Sequence, residues 1–374
     1  MKTVIITLTR FFYTKAAKPF LFLHDPFFVH GRTVRIGQLL GRVAFTRVIL
    51  SYCFGFREPV LSQTLFGIEF KGPMGLAAGF DYEARLTGIL PTLGFAFGTV
   101  GTLTNRPYGG NPKPLLGRLP KSRSLMVNKG FRNDSVKVTL RRLAREKFAY
   151  PVGVSIGTSN DGSVKTEAEA VYDITESFKT AESSGVAFAY YELNISCPNL
   201  SIAIDFYNPS NLEVLLDALG KLNLTRPVFI KMPITKTDEE VVAMMEVIVQ
   251  HAFVKAVILG NLQNNRRHPA LIREEVAKFS VGNFSGLPCR DRSDELIRLV
   301  YRRFGSQIKI IGCGGVFCAD DAYRKIALGA SLVQLITGLI FEGPQLVAEI
   351  NRDIAKRLKK EGYKSMSQLV GTGA

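Results

Sequence analysis

The chain has 374 residues, 46% of them hydrophobic, and its 48 Lys and Arg residues outnumber its 32 Asp and Glu residues. The length and apolar content exclude a disordered or low-complexity chain and suit one large hydrophobic core. The net charge of +16 indicates an anionic partner, such as a membrane surface, a nucleic acid or a charged substrate, although a solvated basic surface explains it equally well.

The cysteine and histidine content bears on metal binding and on the redox compartment. The five cysteines form no CxxC pair, and the four histidines show no zinc-ligand spacing with them. We therefore predict no bound metal and a reduced, intracellular protein. No apolar run reaches the ~18–20 residues that are needed to cross a bilayer.

The first 60 residues differ in composition from the rest of the chain. Residues 1–22 contain four basic and no acidic side chains among many aromatic ones, and Arg35–Ser51 has a helical pattern. An amphipathic element of this kind suits the membrane interface. It is equally typical of a helical cap that packs its aromatic side chains on a neighbouring domain, and both interpretations can hold for one segment. We predict an N-terminal helical unit at 1–60.

Eight short runs rich in β-branched or aromatic residues recur after residue 72. Their near-continuous apolar character is typical of parallel strands that are buried on both faces. Amphipathic stretches of helical period separate most of them, as at Asp238–His251, Asp294–Phe304 and Gln345–Lys360. This alternation predicts an α/β fold, a closed (β/α)8 TIM barrel over residues 61–374, with an open doubly wound sheet as the alternative, which lacks its GxGxxG motif here. The runs are Met74–Ala78, Phe95–Val100, Val152–Ile156, Tyr190–Ile195, Val228–Met232, Ala256–Leu259, Lys309–Ile311 and Leu332–Leu335.

Polar residues and glycines follow these runs, at the strand ends where barrel enzymes carry their catalytic groups. After the fourth run, residues 194–199 read Asn-Ile-Ser-Cys-Pro-Asn. The thiol of Cys197 can act as a base or nucleophile where its surroundings favour the thiolate, and the flanking asparagines can hydrogen-bond a flat polar ligand. The alternative is a buried cysteine that serves as a small apolar residue.

Two further features indicate a phosphate-bearing ligand. Glycines follow the seventh and eighth runs, at Gly312, Gly314, Gly315 and Gly338, where this fold commonly binds phosphate through backbone N–H groups. Lys231 ends the fifth run and is expected to point into the barrel mouth, where a buried ammonium needs an anion or an acceptor. A reduced flavin would supply that partner, and a nearby acid is the alternative.

The order of several motifs resembles that of the quinone-dependent class of dihydroorotate dehydrogenases over nearly the whole chain. The N-terminal Asp25, Pro26 and His30 also resemble the helical cap of that class. The motifs are GLAAGFD (75–81), GTVGTLTNRP (98–107), GNPKP (110–114), GF-x-N (130–133), LNISCPN (193–199), IKMP (230–233), GN-x-SG (282–286), IIGCGG (310–315) and GASLVQL (329–335).

The resemblance implies an enzyme that binds FMN at the barrel mouth, oxidises dihydroorotate to orotate and passes the electrons to a quinone. Cys197 stands at the position of the base that removes the C5 proton. The positions that correspond to flavin contacts are Ala78, Gly79, Thr102, Ser155, Asn194, Lys231, Gly260, Ser285, Gly286, Gly314, Gly315 and Thr337. The substrate positions are Tyr82, Lys129, Gly130, Phe131, Asn194, Asn199 and Asn261, and His30 and Arg118 correspond to positions near the quinone end.

Several residues depart from the family's pattern. The quinone-using class ordinarily has Ser where this chain has Cys197. Tyr82 replaces the Lys that binds the orotate carboxylate, and Val127 replaces a substrate-binding Asn. Ser155, Gly260 and Asn283 replace an Asn, a Thr and a Gly. We hypothesise that Lys129 supplies the missing charge, and the alternative is a natural substrate without a carboxylate.

Three functions therefore compete. The first is dihydroorotate oxidation with a quinone, and the second is an FMN-dependent reaction on another cyclic amide or enoyl compound. The third is an RNA-modifying flavoenzyme of the dihydrouridine-synthase type, which the charge would suit but for which the residues after the eighth run are too few to form an appended RNA-binding domain. The first function predicts a peripheral membrane protein, on the cytoplasmic face of the cell membrane or on the mitochondrial inner membrane, with no nucleic-acid partner.

Overall fold

Four helices precede the barrel in the computed structural model, which describes residues 1–56, 58–200 and 205–374. They are α1 (Lys2–Phe12), α2 (Lys18–Phe22), α3 (Pro26–Arg42) and α4 (Ala44–Phe54), with a π-helical turn at Tyr13–Ala17. The carboxylate of Asp25 accepts a hydrogen bond from the N–H of Phe28 and so caps the start of α3. The helical pattern predicted at Arg35–Ser51 is confirmed on both sides of Val43, which is extended and separates two helices, and α4 packs on the segment Leu90–Leu93.

Strands and helices alternate after the N-terminal helices. In chain order the strands are β1 (Gln63–Leu65), β2 (Ile68–Phe70), β3 (Met74–Leu76), β4 (Phe97–Leu103), β5 (Leu116–Leu119), β6 (Ser124–Val127), β7 (Val152–Ile156), β8 (Tyr190–Asn194), β9 (Val228–Met232), β10 (Val254–Leu259), β11 (Asn283–Gly286), β12 (Lys309–Cys313) and β13 (Leu332–Leu335). The remaining helices are α5 (Val136–Leu143), α6 (Glu167–Glu182), α7 (Pro209–Gly220), α8 (Asp238–Ile248), α9 (Arg273–Val276), α10 (Arg290–Phe304), α11 (Ala319–Ala327), α12 (Thr337–Glu342) and α13 (Leu346–Lys360).

Eight of these strands form a closed parallel barrel in the order β3, β4, β7, β8, β9, β10, β12, β13, and β13 pairs back with β3. Every residue of β4, β7, β8 and β9 is buried, as expected for strands that are covered by side chains inside and by helices outside. The outer helices begin at clear sequence signals; α6 and α8, for example, start with capping boxes at Thr166 and Thr237. The predicted (β/α)8 barrel is confirmed, and the open doubly wound sheet is excluded.

Aromatic side chains fill the interior of the barrel at the amino ends of the strands. The rings of Tyr190 and Phe229 are stacked with centroids 4.5 Å apart, and Phe97 packs edge-on against Phe70 from the hairpin β1–β2. All four side chains are fully buried. The interior of the barrel is therefore closed at this end, and its opposite end, where the strands reach their carboxyl termini, is where enzymes of this fold bind their ligands.

A three-stranded antiparallel sheet and the N-terminal helices lie over that end. The sheet has the order β11, β6, β5, and α3 packs on β5. The guanidinium of Arg118 on β5 donates to the carbonyl of His24 at 2.6 Å, and the Tyr13 hydroxyl donates to the carbonyl of Ile340 at 2.7 Å. We call residues 1–54, the helices α1 to α4, the cap. No helix in the described ranges is both long and apolar enough to span a bilayer.

Candidate active site

A cavity opens at the carboxyl ends of the barrel strands, beneath the cap. The structure brings nearly all of the predicted site residues onto its wall: Ala78, Gly79, Thr102, Asn194, Lys231, Gly260, Ser285, Gly286, Gly314, Gly315, Thr337, Tyr82, Lys129, Gly130, Phe131, Cys197, Asn199, Asn261 and His30. The cavity and its mouth contain about 1170 Å³ of space free of protein atoms, part of which is open solvent. Within the described residues, its wall carries Lys129, Arg132 and Lys231 and no Asp or Glu.

Glycines form a backbone cradle on one side of this cavity. Gly286, Gly314 and Gly315 have positive φ angles of 84°, 107° and 68°, which side chains rarely tolerate. A Cβ atom at Gly315 would lie 2.3 Å from the Cβ atom of Arg290, so the loop approaches the start of α10 too closely for any larger residue. Close beside them, the hydroxyl groups of Ser285 and Thr337 are 2.8 Å apart. Backbone N–H groups in glycine-rich loops of this kind commonly bind phosphate.

Lys231 enters the cavity from the end of β9. It is 4% exposed, and its ammonium donates no hydrogen bond to another described residue. Glu192 on the adjacent β8 is fully buried, and burial raises its pKa while the charge of Lys231 lowers it. The alternative prediction, a nearby acid as the partner of Lys231, is therefore confirmed in part: Glu192 interacts electrostatically with Lys231 but accepts no hydrogen bond from it. The unused donors of Lys231 fit an acceptor atom of a bound ligand.

A chain of hydrogen bonds runs from Glu192 to the cavity wall. The Ser155 hydroxyl donates to the Glu192 carboxyl at 2.8 Å and lies 2.9 Å from the Thr102 hydroxyl, which accepts from the Asn194 amide at 2.8 Å. Ser155 itself lies one layer below the wall, although the sequence predicted a direct flavin contact. Glu192 was missed by sequence reasoning, because an acid inside a buried strand has no local signal of its own.

Cys197 lies within the LNISCPN segment, three residues after the end of β8, and is partly accessible from the cavity. Burial raises the pKa of its thiol to about 11, while the backbone at Asn199 and the charge of Lys231 lower it. At neutral pH the group is therefore a thiol. The loop around it is fixed by amide groups, since Asn261 donates to the carbonyl of Ser196 at 2.8 Å and Asn283 donates to the side chain of Asn199 at 2.6 Å.

Tyr82, the residue that replaces the family's Lys, is surrounded by cations and by the cap. The ammonium of Lys129 lies 4.6 Å from the centroid of its ring, and the guanidinium of Arg132 donates to its hydroxyl at 3.1 Å. His30 of α3 stacks on the same ring at 5.5 Å. Burial, followed by the charges of Lys129 and Arg132, lowers the pKa of His30 to about 3, so its imidazole is neutral.

The loop that carries Lys129, Gly130 and Phe131 is held by two asparagines that sequence reasoning did not single out. Asn111 donates to the side chain of Asn128 at 3.0 Å and to the carbonyl of Asn199 at 2.9 Å. Asn160 donates to the carbonyl of Gly130 at 3.1 Å. Phe131 has a φ of 64°, an uncommon conformation for a bulky residue that is typical of functional loops. The GNPKP motif gave the signal for Asn111 without indicating what it would bind.

The end of the cavity that faces the cap is apolar. Leu116, Leu125, Val127, Ile340 and Phe80 line it together with His30. These residues come from β5, β6, α12 and the loop after β3, so chain order does not reveal that they share one surface. Arg118, predicted at the quinone end, does not reach the cavity wall. It stacks on Phe22 and binds the cap from outside.

Among the described residues, no cluster of three or more His, Cys, Asp or Glu side chains is placed to hold a metal ion. All five cysteines are free. The donor set of the cavity consists of backbone groups, amides, hydroxyls and ammonium groups, which suits an organic anion.

Comparison with known proteins gives consistent results. Residues 60–358 match the family model of dihydroorotate dehydrogenase. The chain is 33% identical to the dihydroorotate dehydrogenase (quinone) of Trichormus variabilis and 34% identical to that of Mycobacterium sp. (strain KMS), in both cases over 96% of this chain and 98% of the relative.

Solved structures give the same picture of the fold. The structure resembles the DHODH of Eimeria tenella in complex with ferulenol, with a TM-score of 0.80 and 25% identity over 93% of this chain and 95% of that one. The ligand-free form of the Eimeria protein, at 24% identity and a TM-score of 0.77 over 89% of this chain and 98% of that one, supports the fold alone.

Proposed function

Because the chain belongs to the dihydroorotate dehydrogenase family, a family of flavin-dependent oxidoreductases, we propose that it oxidises dihydroorotate to orotate with bound FMN and passes the electrons to a membrane quinone. The observation that carries the proposal is one cavity that combines a glycine cradle, the buried and unbonded ammonium of Lys231, the thiol of Cys197 and an apolar end beneath the cap. The quinone-dependent names of the bacterial relatives support the acceptor. Family membership does not favour the RNA-modifying alternative.

The residues of the cavity fit FMN. The backbone cradle at Gly286, Gly314 and Gly315 would hold its phosphate, and Lys231 would contact the flavin ring. Asn194 and Thr102, joined by a 2.8 Å hydrogen bond, would present polar groups to the flavin ring. FMN, when bound, supplies the acceptor for the hydride that leaves C6 of dihydroorotate.

The protein's own part in the chemistry is to hold the substrate and to remove a proton. Cys197, in its thiolate form, takes the proton from C5 of dihydroorotate and becomes a thiol, so that the ring loses one proton and one hydride and gains the C5–C6 double bond of orotate. The charge of Lys231 favours the thiolate, and enclosure by protein opposes it. Asn194, Asn199 and Asn261 present amides that match the alternating N–H and C=O groups of the pyrimidine ring.

The cap is the proposed route for the quinone. The apolar end of the cavity, beneath the cap, suits a quinone ring, and His30 and Phe80 line this end. The helices of the cap also expose Phe11, Phe12, Phe20 and Phe45 to solvent, each by more than 60%. Such aromatic groups, beside many basic residues, suit the surface of an anionic bilayer. We place the protein peripherally on the cytoplasmic face of the cell membrane, as the bacterial relatives favour, and take 1–60 and 61–374 as its two functional units.

The test is an anaerobic experiment in two steps. Dihydroorotate is added to the flavin-loaded protein, and the flavin absorbance should bleach; a short-chain quinone is then added, and the absorbance should return. If dihydroorotate does not bleach the flavin but another cyclic amide does, the substrate is not dihydroorotate. If dihydroorotate bleaches the flavin but the quinone does not restore its absorbance, the electron acceptor is not a quinone.

A further inference from the structure

Lys129 is a cation without a carboxylate partner at the substrate side of the cavity. Its ammonium donates to the backbone carbonyl of Gly79 at 3.0 Å and lies 4.6 Å from the centroid of the Tyr82 ring. No ion pair joins Lys129 to an acid in the described part of the chain. One carbonyl uses only one of three ammonium donors, and the other two are open to a ligand in the cavity.

The neighbouring cation, Arg132, is already committed. Its guanidinium donates to the carbonyl of Gly109 at 3.1 Å and to the Tyr82 hydroxyl at 3.1 Å, lies 3.5 Å from the carboxylate of Glu83, and stacks against Phe27 of the cap at 5.3 Å. Recruiting it for a ligand would break several contacts. Lys231, at the end of β9, is already assigned to the proposed flavin, to which its ammonium would donate. Of the cations on the described wall, Lys129 is therefore the one whose charge has no assigned counterpart.

We propose that Lys129 binds the carboxylate of the substrate and thereby selects dihydroorotate over uncharged pyrimidines. The inference rests on the proposed function and specifies how the same site recognises its substrate. An organic carboxylate that leaves water for this cavity needs a charged donor to offset its desolvation. Lys129 supplies it from the loop after β6, on the same wall as Cys197, Asn199 and Asn261.

Tyr82 acts as a positioning residue for this ammonium. Its ring packs beside the ammonium of Lys129. Its hydroxyl accepts a hydrogen bond from Arg132, and His30 stacks on its ring. A lysine at position 82 would put a second ammonium next to Lys129, at a cost in like-charge repulsion. The aromatic ring instead attracts the cation. The exchange of Lys for Tyr at 82 is therefore consistent with a charge at 129.

The geometry has a consequence for the effect of pH on substrate binding. Burial, followed by the charge of Arg132, lowers the pKa of Lys129 to about 7. A bound carboxylate favours the charged ammonium, so orotate binding should take up a proton above pH 7, and its Kd should rise with pH. The other titratable groups near Lys129 do not explain such a change between pH 7 and 8.5: the pKa of His30 is lowered to about 3, that of Tyr82 is raised above its usual 10, and that of Cys197 is raised to about 11. Burial raises the pKa of Asp81 to about 6, below this range, and Arg132 and Glu83 form an ion pair at 3.5 Å.

The experiment compares the binding of orotate with that of uracil, the same ring without a carboxylate, to the flavin-loaded protein by calorimetry. The variants are Lys129→Met, Lys129→Arg and, as the matched control, Lys137→Met, which removes one exposed positive charge from α5. Lys129→Met should raise the Kd for orotate about tenfold to a hundredfold, as expected for one charge-assisted hydrogen bond, and leave that for uracil within about twofold. Lys129→Arg should bind orotate with no change in Kd between pH 7 and 8.5. The control should match the wild type.

Two results would overturn the proposal. If Lys129→Met binds orotate as tightly as the wild type, or weakens uracil equally, the carboxylate lies elsewhere; loss of orotate binding in Arg132→Met alone would then identify that residue instead. Failure of the proposed function is recognised separately, because in that case dihydroorotate does not bleach the flavin of the wild-type protein at all. The flavin absorbance of each variant shows that the cavity is folded and loaded.

Discussion

The imidazole of His30 is stacked on the phenol ring of Tyr82, with ring centroids 5.5 Å apart and planes inclined by 22°. One residue belongs to the cap and the other to the substrate side of the cavity. Arg132 strengthens this connection, since its guanidinium lies 5.3 Å from Phe27 of the cap and also binds Tyr82. The cap and the substrate site are therefore joined through one aromatic ring.

The burial of His30 at this contact makes the stability of the protein sensitive to acid. The pKa of His30 is lowered from 6.5 to about 3 by burial and two cations, so the folded protein holds a neutral imidazole that the unfolded chain protonates below pH 6.5. The contribution of His30 is complete above pH 6.5 and is lost as the pH falls towards 3. His30→Phe should lose less thermal stability than the wild type between pH 7 and 5. The raised pKa of Asp81 acts in both proteins and cancels in the comparison.

Replacement of Cys197 tests its role as the base. Cys197→Ala should slow flavin reduction by dihydroorotate by ~10²-fold or more and retain FMN. Because enclosure raises the pKa of the thiol to about 11, the rate in the wild type should rise with pH across the neutral and alkaline range without a plateau near 8.5. Cys197→Ser should retain some activity with its rising limb at still higher pH. Cys318→Ala, at an exposed position, is the control, and equal rates in Cys318→Ala and Cys197→Ala would refute the assignment.

Lys231→Met should separate cofactor binding from protein stability. The substitution keeps an unbranched side chain and removes the ammonium of a residue that is 4% exposed and has no side-chain hydrogen bond to a described residue. FMN affinity should fall about tenfold to a hundredfold, measured by dialysis and reconstitution. The flavin-free protein should unfold at an unchanged or higher temperature, because no unpaired charge is buried. A large loss of stability in the flavin-free form would instead assign Lys231 to the structure, through Glu192.

The glycine cradle can be tested against a matched glycine. Gly315→Ala should lower FMN affinity and stability, because the new Cβ atom would lie 2.3 Å from that of Arg290. Gly162→Ala is the control: its φ of 83° is equally left-handed, but nothing lies within 4 Å of the new atom. The control variant should lower the free energy of unfolding by about 1–2 kcal/mol, from conformational strain alone, and leave FMN binding unchanged. Equal FMN binding in the two variants would remove the cradle from the cofactor site.

Membrane contact by the cap is tested at its exposed phenylalanines. The double variant Phe12→Ser and Phe45→Ser changes side chains that are 66% and 72% exposed on α1 and α4. It should bind anionic vesicles more weakly, in a sedimentation assay, and still show flavin bleaching by dihydroorotate. Tyr172→Ser, which removes an aromatic group that is 63% exposed on α6, should bind vesicles like the wild type. Unchanged binding by the double variant would place the membrane surface elsewhere.

The barrel could be predicted because each of its strands carries its own apolar run. Val152–Ile156, Val228–Met232 and Leu332–Leu335 were predicted with their observed bounds, and the other five runs overlap the strands that form. The cover of the barrel could not be predicted, because β5, β6 and β11 have only four residues each and β11 pairs with β6 from a distant part of the chain. The break at Val43 was missed for a related reason, since it depends on how α4 packs on a distant segment.

The site was predicted where a motif fixes both residue and position, as for Cys197 and Lys231, whose functional roles stay predictions. Contacts between residues that are distant in the chain could not be predicted from the sequence. Asn283 is an example: it is the cross-strand partner of Val127, the position where the family has a substrate-binding Asn, and its amide binds Asn199. A lost amide on one strand thus faces a gained amide on the other, a relationship that only the register of β6 and β11 reveals.

The charge of the cavity wall has a kinetic consequence. Three cations and, among the described lining residues, no acid create a positive potential at the mouth that acts on an anion before any contact forms. Association of dihydroorotate should therefore be fast and should slow steeply as ionic strength rises. The product is an anion as well, so the same potential retards its departure. Added salt should act on the two steps in opposite senses, hindering capture when substrate is scarce and speeding turnover when it is abundant.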